Sequence, residues 1–87
     1  FLEADVNRLG YRFLQTERPE QAVKLFRINV KLFPESWNCY DSLGEGLLAT
    51  GDQEGSVAMY EKSLELNPEN QNGRDMLEKI RSGKMVN

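Results

Sequence analysis

Apolar residues along this chain recur at the spacing of helix faces, and turns containing proline or glycine separate the runs. Between Trp37 and Pro68, two such runs meet at the turn Thr50-Gly51-Asp52. The first run keeps the three- and four-residue spacing of one helix face at Trp37, Tyr40, Leu43, Leu47 and Leu48. The second run carries Val57, Tyr60, Leu64 and, partly, Met59, and it stops at Asn67-Pro68 because proline drives the preceding residue out of the α region. The stretch therefore predicts two helices joined by a tight turn.

The same pair of helices is predicted one step earlier in the chain. A shift of 34 residues aligns identical residues at Leu9/Leu43, Gly10/Gly44, Leu14/Leu48, Thr16/Thr50, Glu20/Glu54, Val23/Val57, Leu32/Leu66, Pro34/Pro68 and Glu35/Glu69. Large apolar bulk is also kept, since Phe13 aligns with Leu47 and Phe26 with Tyr60. The chain is thus two near-copies of one helix pair.

A third copy begins after Pro68 but supplies only one helix. Met76, Leu77 and Ile80 form its apolar stripe, and charged residues occupy the other side. We therefore predict an all-α, helix-turn-helix repeat solenoid of five antiparallel helices in a single domain, residues 1–87. Repeat one spans 3–34, repeat two spans 37–68, a capping helix spans 69–82, and 83–87 form a frayed tail. The helices are expected at about 3–16, 19–32, 36–50, 53–67 and 69–82.

Several small and polar residues have specific expected roles in this arrangement. Gly10 and Gly44 are aligned, which predicts that the two helices of each pair cross too closely there for a side chain. Gly46 has no such reason from spacing, and inside a helix it should cost roughly 1 kcal/mol relative to alanine. Asn29 is expected near the inner edge of the packing, where it needs a hydrogen-bond partner if buried.

The helix ends carry recognisable signals. Pro19 suits the first position of a helix, and Gly51 suits the left-handed conformation that ends many helices. Ser36 and Asp52 are predicted N-caps of the helices that follow them. At the start of the stack, apolar side chains of the first helix such as Leu2 and Val6 are expected to be exposed unless an upstream region or a second copy of the chain covers them.

The repeat length and its residues resemble the tetratricopeptide repeat. The features that carry the resemblance are the 34-residue step, a small residue in the first helix, an aromatic residue in the second and a closing proline. They cover nearly the whole chain, about 4–80. One difference is Asn29, with Ser63 aligned to it, where a typical repeat has alanine.

Composition narrows the possible chemistry. The formal net charge is −3, and the sequence lacks the basic stripe that binding to nucleic acid needs. The apolar runs are too short to cross a bilayer. The sequence has no histidine, so histidine-based catalysis and histidine metal sites are excluded. Cys39 is the single cysteine; it cannot form an internal disulfide and is expected to be a small packing residue.

Few residues suggest catalysis. Asp41 and Glu45 are one helical turn apart, which suits a solvated or groove-facing acidic patch better than an acid/base pair or a metal site. Gly44-Glu45-Gly46 is not a nucleotide motif because it has no lysine and lies within a helix pattern. Ser42 has no base near it in sequence. We therefore expect a non-catalytic segment without a metal or another cofactor.

In the tetratricopeptide family, the first helix of each unit lines a concave groove that holds an extended peptide or a partner helix. The resemblance implies that the groove residues here are Asn7, Tyr11, Leu14, Asn38, Asp41, Glu45, Leu48 and Asn72, with Asp75 at the edge. The alternative, that these are ordinary solvated helix positions, stays open. One branch of the family clamps the C-terminal carboxylate of chaperones with cationic residues. Because the groove here is acidic, we expect instead a neutral or basic protein or peptide.

A narrower resemblance concerns the run NVKLFPESWNCYDSLGEGLLATGD, followed by EKSLELNPEN. It is similar to repeats at the C-terminal end of some bacterial serine hydrolases of the β-lactamase-like and α/β-hydrolase-like classes. This resemblance implies a structural or dimerising appendage of a larger hydrolase whose catalytic domain lies N-terminal to this segment. A homodimer is a separate alternative for an isolated fragment, in which the uncovered apolar face of the first helix pairs with its copy. Trp37 is a candidate contact in that role, although packing against Phe33 is the favoured interpretation.

Overall fold

The chain folds into a stack of five α-helices in the computed structural model, which describes residues 2–83. These are α1 Glu3–Gln15, α2 Pro19–Leu32, α3 Trp37–Ala49, α4 Gln53–Leu66 and α5 Gln71–Arg81. Residues 2–83 contain no β-strand, so the all-α prediction is confirmed, and each predicted helix end lies within two residues of the observed one. Within the same range, no helix has the length and apolar character needed to cross a membrane. Apart from Gly83, the predicted frayed tail lies outside the described residues.

Each helix packs against the next one along the chain, and α1 also contacts α3. The helices thus form two pairs, α1–α2 and α3–α4, followed by α5. A core cluster joins the two pairs, and it consists of Ala22, Val23, Phe26, Leu43 and Leu47. Because this cluster draws on both pairs, burial of its apolar surface holds the stack together.

The residues at the helix termini, polar side chains at two starts and a glycine after one end, lie largely where the sequence predicts them. Asp52 is the N-cap of α4, with its Oδ1 accepting a 2.8 Å hydrogen bond from the Gly55 backbone N–H. Gly51 has φ +92°, the left-handed conformation expected of it. Ser36 lies at the N-cap position of α3, but its side chain makes no capping bond. Instead, its hydroxyl donates a 2.6 Å hydrogen bond to the Glu3 carboxylate, which ties the start of α3 to α1.

Glycines lie where aromatic rings cross the first helix of each pair. An ideal Cβ on Gly10 would lie 2.3 Å from Cε1 of Phe26, and one on Gly44 would lie 3.0 Å from Cε2 of Tyr60. Both rings are fully buried. The predicted close crossing is therefore present in both pairs, and it requires a residue without a side chain.

Gly46 also has a packing role, for which the residue spacing gave no reason. An ideal Cβ there would lie 3.0 Å from Cδ2 of Phe26 and 3.1 Å from Cγ2 of Val23. Gly46 thus allows α3 to approach α2 of the preceding pair. The 34-residue alignment gives no signal of this, because Arg12 occupies the equivalent position in α1, which has no preceding helix against it in the structure.

The same side-chain bond fastens the second helix of each pair to the start of the first. Nδ2 of Asn29 donates to the Glu3 carbonyl at 3.0 Å, and Oγ of Ser63 donates to the Trp37 carbonyl at 2.9 Å. Both side chains are fully buried, so the partner expected for Asn29 is confirmed for its amide nitrogen. Its Oδ1 has no hydrogen-bond partner among residues 2–83.

The outer face of α1 is only partly covered. Leu2 is 70% exposed, as predicted, and Leu9 is 43% exposed. The expectation that Val6 is exposed was wrong, since it is buried at 7%. Val6 lies on the side of α1 that is next to α2, where it lines a groove together with Leu25.

The Gly10→Ala variant tests the crossing of α1 and α2. Alanine improves helix propensity by about 1 kcal/mol, but its Cβ would overlap the buried Phe26 ring. We expect a net loss of about 1–3 kcal/mol in the free energy of unfolding, measured by urea denaturation. In a Phe26→Leu background the overlap is relieved, and the same substitution should cost much less. An equal cost in both backgrounds would contradict this explanation.

Candidate functional site

The first helices of the repeats, α1 and α3, lie side by side with α5 and form one surface, which we call the α1–α3–α5 face. These three helices contain all the residues predicted to line a groove: Asn7, Tyr11, Leu14, Asn38, Asp41, Glu45, Leu48 and Asn72. The structure brings five of them together. Tyr11 is hydrogen-bonded to Glu45, and Asp41 is hydrogen-bonded to Asn72. Leu48 lines a pocket with Glu45 and Asn72.

The other three predicted residues do not join that group. Leu14 packs against the core cluster, and Asn38 is exposed near the start of α3. Asn7 is half-buried, and its Oδ1 has no hydrogen-bond partner in the described part of the chain. These positions therefore border the group and take no part in its contacts.

Tyr11 connects α1 to α3 on this face. Its hydroxyl lies 3.0 Å from Oε1 of Glu45 and 3.3 Å from Oγ of Ser42, while its ring packs against Phe26 with centroids 5.2 Å apart. Burial raises the pKa of the Tyr11 phenol well above its ordinary value, and the nearby Glu45 charge adds to the rise. The phenol therefore stays protonated at neutral pH and donates its hydrogen bond to the Glu45 carboxylate.

Asp41 lies on this face but is buried, with 6% of its surface exposed. Its Oδ2 accepts a 2.8 Å hydrogen bond from Nδ2 of Asn70, and its Oδ1 accepts one of 3.1 Å from Nδ2 of Asn72. The sequence pattern suggested a solvated or groove-facing carboxylate, whereas these amides fold over it. A buried charge needs such partners, because desolvation disfavours it unless it is hydrogen-bonded.

No cation balances the carboxylates of this face within residues 2–83. The ion pairs there join Arg8 to Asp5, Lys62 to Glu65 and Arg81 to Glu61. None of them includes Asp41 or Glu45. The hydrogen-bond partners of these two carboxylates within residues 2–83 are neutral donors.

A pocket of about 460 Å³ opens between α3 and α5. Its lining consists of Glu45, Leu48, Ala49, Tyr60, Asn72 and Met76. Apolar walls with a few polar groups are typical of ligand pockets, and the volume lies in their usual range. The sequence pattern did not single out Ala49 or Met76 as lining residues, because it locates helices but not the space between them.

Tyr60 forms part of this lining, and its hydroxyl is the unusual group. The side chain is fully buried, yet the hydroxyl has no hydrogen-bond partner among residues 2–83. Burial raises the pKa of this phenol well above its ordinary value, so the hydroxyl keeps its proton. The sequence analysis treated Tyr60 only as a large apolar residue. Tyr60 aligns with Phe26, and its additional hydroxyl was the available signal of a polar role.

The described residues offer little for catalysis or metal binding. They include no group of three or more histidine, cysteine, aspartate or glutamate side chains that could hold a metal ion. Cys39 is buried, as predicted, and burial raises the pKa of its thiol to about 11. A thiol in that state is a poor nucleophile at neutral pH. The exposed Glu45 carboxylate can accept further hydrogen bonds.

No protein-family model matches the chain. The chain is similar to Superkiller complex protein 3 of Homo sapiens, with 34% identity over 62 residues. Those residues make up 71% of this chain but 4% of the human protein. The chain thus spans a small fraction of the length of that relative.

The Asn70→Ala variant tests how Asp41 is held. Nδ2 of Asn70 also donates to Oγ of Ser63 at 2.8 Å, and its Oδ1 caps α5 by accepting from the Gly73 backbone N–H. Losing these bonds leaves a buried carboxylate with one donor fewer, so we expect about 2–3 kcal/mol of destabilisation in urea melts.

Asn72→Ala is the matched control for this variant. It removes an exposed amide while Asn70 remains in place, and we expect a loss below about 1 kcal/mol. If the two alanine variants lost equal stability, Asn70 would not be the main support of Asp41.

Proposed function

We propose that this tetratricopeptide-like helical repeat is a protein-binding module that holds an extended segment of a partner against its α1–α3–α5 face. A basic side chain of the partner enters the pocket between α3 and α5. Apart from Asp41, the residues that contact the segment are those predicted for the groove, together with Tyr60 and Met76. Asp41 contributes its charge from beneath Asn72 and does not contact the partner directly.

The observation that carries this proposal is the Tyr60 hydroxyl. Leaving a buried hydroxyl unpaired costs about 1–3 kcal/mol, and phenylalanine would avoid that cost, as it does at the equivalent Phe26. Tyr60 is one of the residues that line the pocket, and its hydroxyl is buried in the free protein, so a bound group gives the hydroxyl a partner once the lining side chains move aside. A polar atom that destabilises the free protein and belongs to a pocket-lining residue is expected where binding uses it.

The charges of the face favour a basic group. Glu45 is exposed at the pocket, and Asp41 is buried below it, with no cation against either in residues 2–83. A lysine side chain suits this lining because its aliphatic stem packs on Leu48 and Met76 while its ammonium donates to Glu45. Such a contact also steers a basic segment towards the face.

The Tyr60→Phe variant separates binding from folding. We expect its stability to be unchanged or higher, because an unpaired buried hydroxyl is removed, while its affinity for lysine-containing peptides falls about tenfold. An array of extended peptides that carry lysine or glutamate at each position supplies the probes, and fluorescence anisotropy measures the affinity.

A charge reversal at Glu45, which lines the pocket, complements the Tyr60→Phe variant. Glu45→Lys should abolish binding of the lysine peptides, and Glu78→Lys, the same change at an exposed position of α5, should leave it intact. Equal binding by the unaltered chain, the Tyr60 variant and the Glu45 variant, or selection of glutamate peptides, would exclude the proposal.

A second candidate function is that of a docking appendage of a larger protein. The apolar surface of the first helix pair favours it, since Leu2, Leu9, Ile28 and Leu32 are all exposed there. The resemblance to repeats attached to bacterial serine hydrolases gives one class of parent protein. In this role the outer side of the α1–α2 pair is the contact surface, and the α1–α3–α5 face is not required.

A further inference from the structure

A pocket of about 430 Å³ lies where α2, α3 and α4 meet, and it differs in charge from the pocket of the α1–α3–α5 face. Two exposed basic residues and several buried or half-buried apolar residues line it: Arg27 and Lys31, with Val30, Tyr40, Leu43 and Met59. We propose that this pocket, called here the α2–α4 pocket, binds an acidic segment of a partner protein. A phenylalanine or leucine of that segment enters the pocket, and two of its carboxylates contact the basic residues.

The basic residues of the α2–α4 pocket have no opposite charge against them. Arg27 and Lys31 lie one helical turn apart on α2, and neither has an ion-pair partner among residues 2–83. Among the described residues, the lining contains no carboxylate. Because the formal net charge of the whole chain is −3, the positive charge of this surface is a local feature. It favours an acidic partner here and nowhere else along the two pairs.

The second helix of the other pair shows that these charges are not a general feature of the repeat. The 34-residue shift places Arg27 on Glu61 and Lys31 on Glu65, so the sign of both charges is reversed in α4. The two glutamates form ion pairs with basic residues of the chain itself. In α4 the charge at these positions is therefore neutralised internally, whereas in α2 the opposite charge is left for a partner to supply.

The apolar lining provides the other half of the contact. Tyr40 and Leu43 of α3 are buried, and Met59 of α4 is half-buried beside them. The volume lies in the usual range of ligand pockets and is large enough for one phenylalanine or leucine side chain. An apolar anchor flanked by charges is the arrangement that gives a short segment both affinity and orientation.

Extension of the repeat stack would leave this pocket open. Each helix packs against its neighbours in sequence, so further repeat units add beside the first pair or after α5. The α2–α4 pocket lies inside the stack, and both helices that flank it already pack against α3. Its occupant therefore comes from outside the stack.

The spacing of the two basic residues defines the expected sequence of the partner. Arg27 and Lys31 are separated by about 6 Å along α2, since each residue of a helix rises about 1.5 Å. In an extended segment, alternate side chains share one side and lie about 6.6 Å apart. Glutamates on both sides of one phenylalanine thus match the two cations. The phenylalanine points the opposite way, across the pocket towards Met59.

The test measures binding of a short acidic peptide to the unaltered 87-residue chain by fluorescence anisotropy. The probe is a labelled Ser-Glu-Phe-Glu-Ser peptide. We expect saturable binding that weakens about tenfold when both glutamates become glutamine, and about tenfold when the phenylalanine becomes serine. In spectra of methyl-labelled methionine, the peptide should shift the signal of Met59 and leave that of Met76 in place.

Two charge-reversal variants locate the binding. Arg27→Glu combined with Lys31→Glu should abolish it without loss of fold, because both side chains are exposed. Arg12→Glu combined with Lys79→Glu makes the same change in net charge at exposed positions outside the pocket. This matched control should retain binding within about twofold.

Four results would overturn the proposal: no saturable binding, equal binding of the glutamine peptide, a shift of Met76 in place of Met59, or a dimer in sedimentation that the Arg27/Lys31 variant dissociates. The last would mean that a second copy of the chain fills the pocket. None of these results bears on the lysine peptides proposed for the α1–α3–α5 face, because Met76 reports on that pocket and Met59 on this one.

Discussion

Each helix pair in this stack depends on an aromatic ring laid directly against the backbone of a glycine. Phe26 lies on Gly10 and Tyr60 on Gly44, at distances that leave no room for a Cβ. This contact sets how closely the two helices approach, and the buried bonds from Asn29 and Ser63 then fix their rotation. Gly46 adds a third close approach, between pairs, so that Phe26 serves both its own pair and the next one. The spacing of the whole stack follows from these few atoms.

Much of the fold could be predicted from the sequence because it depends on periodicity. The helix spacing, the proline stops and the 34-residue step fixed five helices and their ends to within two residues. Gly46 could not be predicted, because its contact crosses between pairs and has no counterpart in the first pair. Ser36 showed a similar limit: its position as an N-cap followed from sequence, but its hydroxyl found a stronger acceptor in the charged Glu3 side chain.

The candidate site was predicted less completely, since pockets depend on how side chains of different helices meet. The alignment predicted that Tyr11, Glu45 and Asn72 share one face, and in the structure they lie on the α1–α3–α5 face. The burial of Asp41 did not follow, because it requires Asn70 to turn inwards from the end of a loop. Two buried polar groups of this region therefore differ in their hydrogen bonding. Both oxygens of Asp41 accept hydrogen bonds, whereas the Tyr60 hydroxyl has no hydrogen-bond partner among residues 2–83.

The single cysteine has a consequence for how the stack moves. Cys39 is almost completely buried on α3, close to Glu3 of α1, at the boundary between the two pairs. A reagent can reach its sulfur only when that boundary separates, so the speed of alkylation reports how often the pairs part from one another. The alkylation rate of Cys39 in the native chain therefore measures cooperativity, because it distinguishes a stack that opens pair by pair from one that unfolds as a whole.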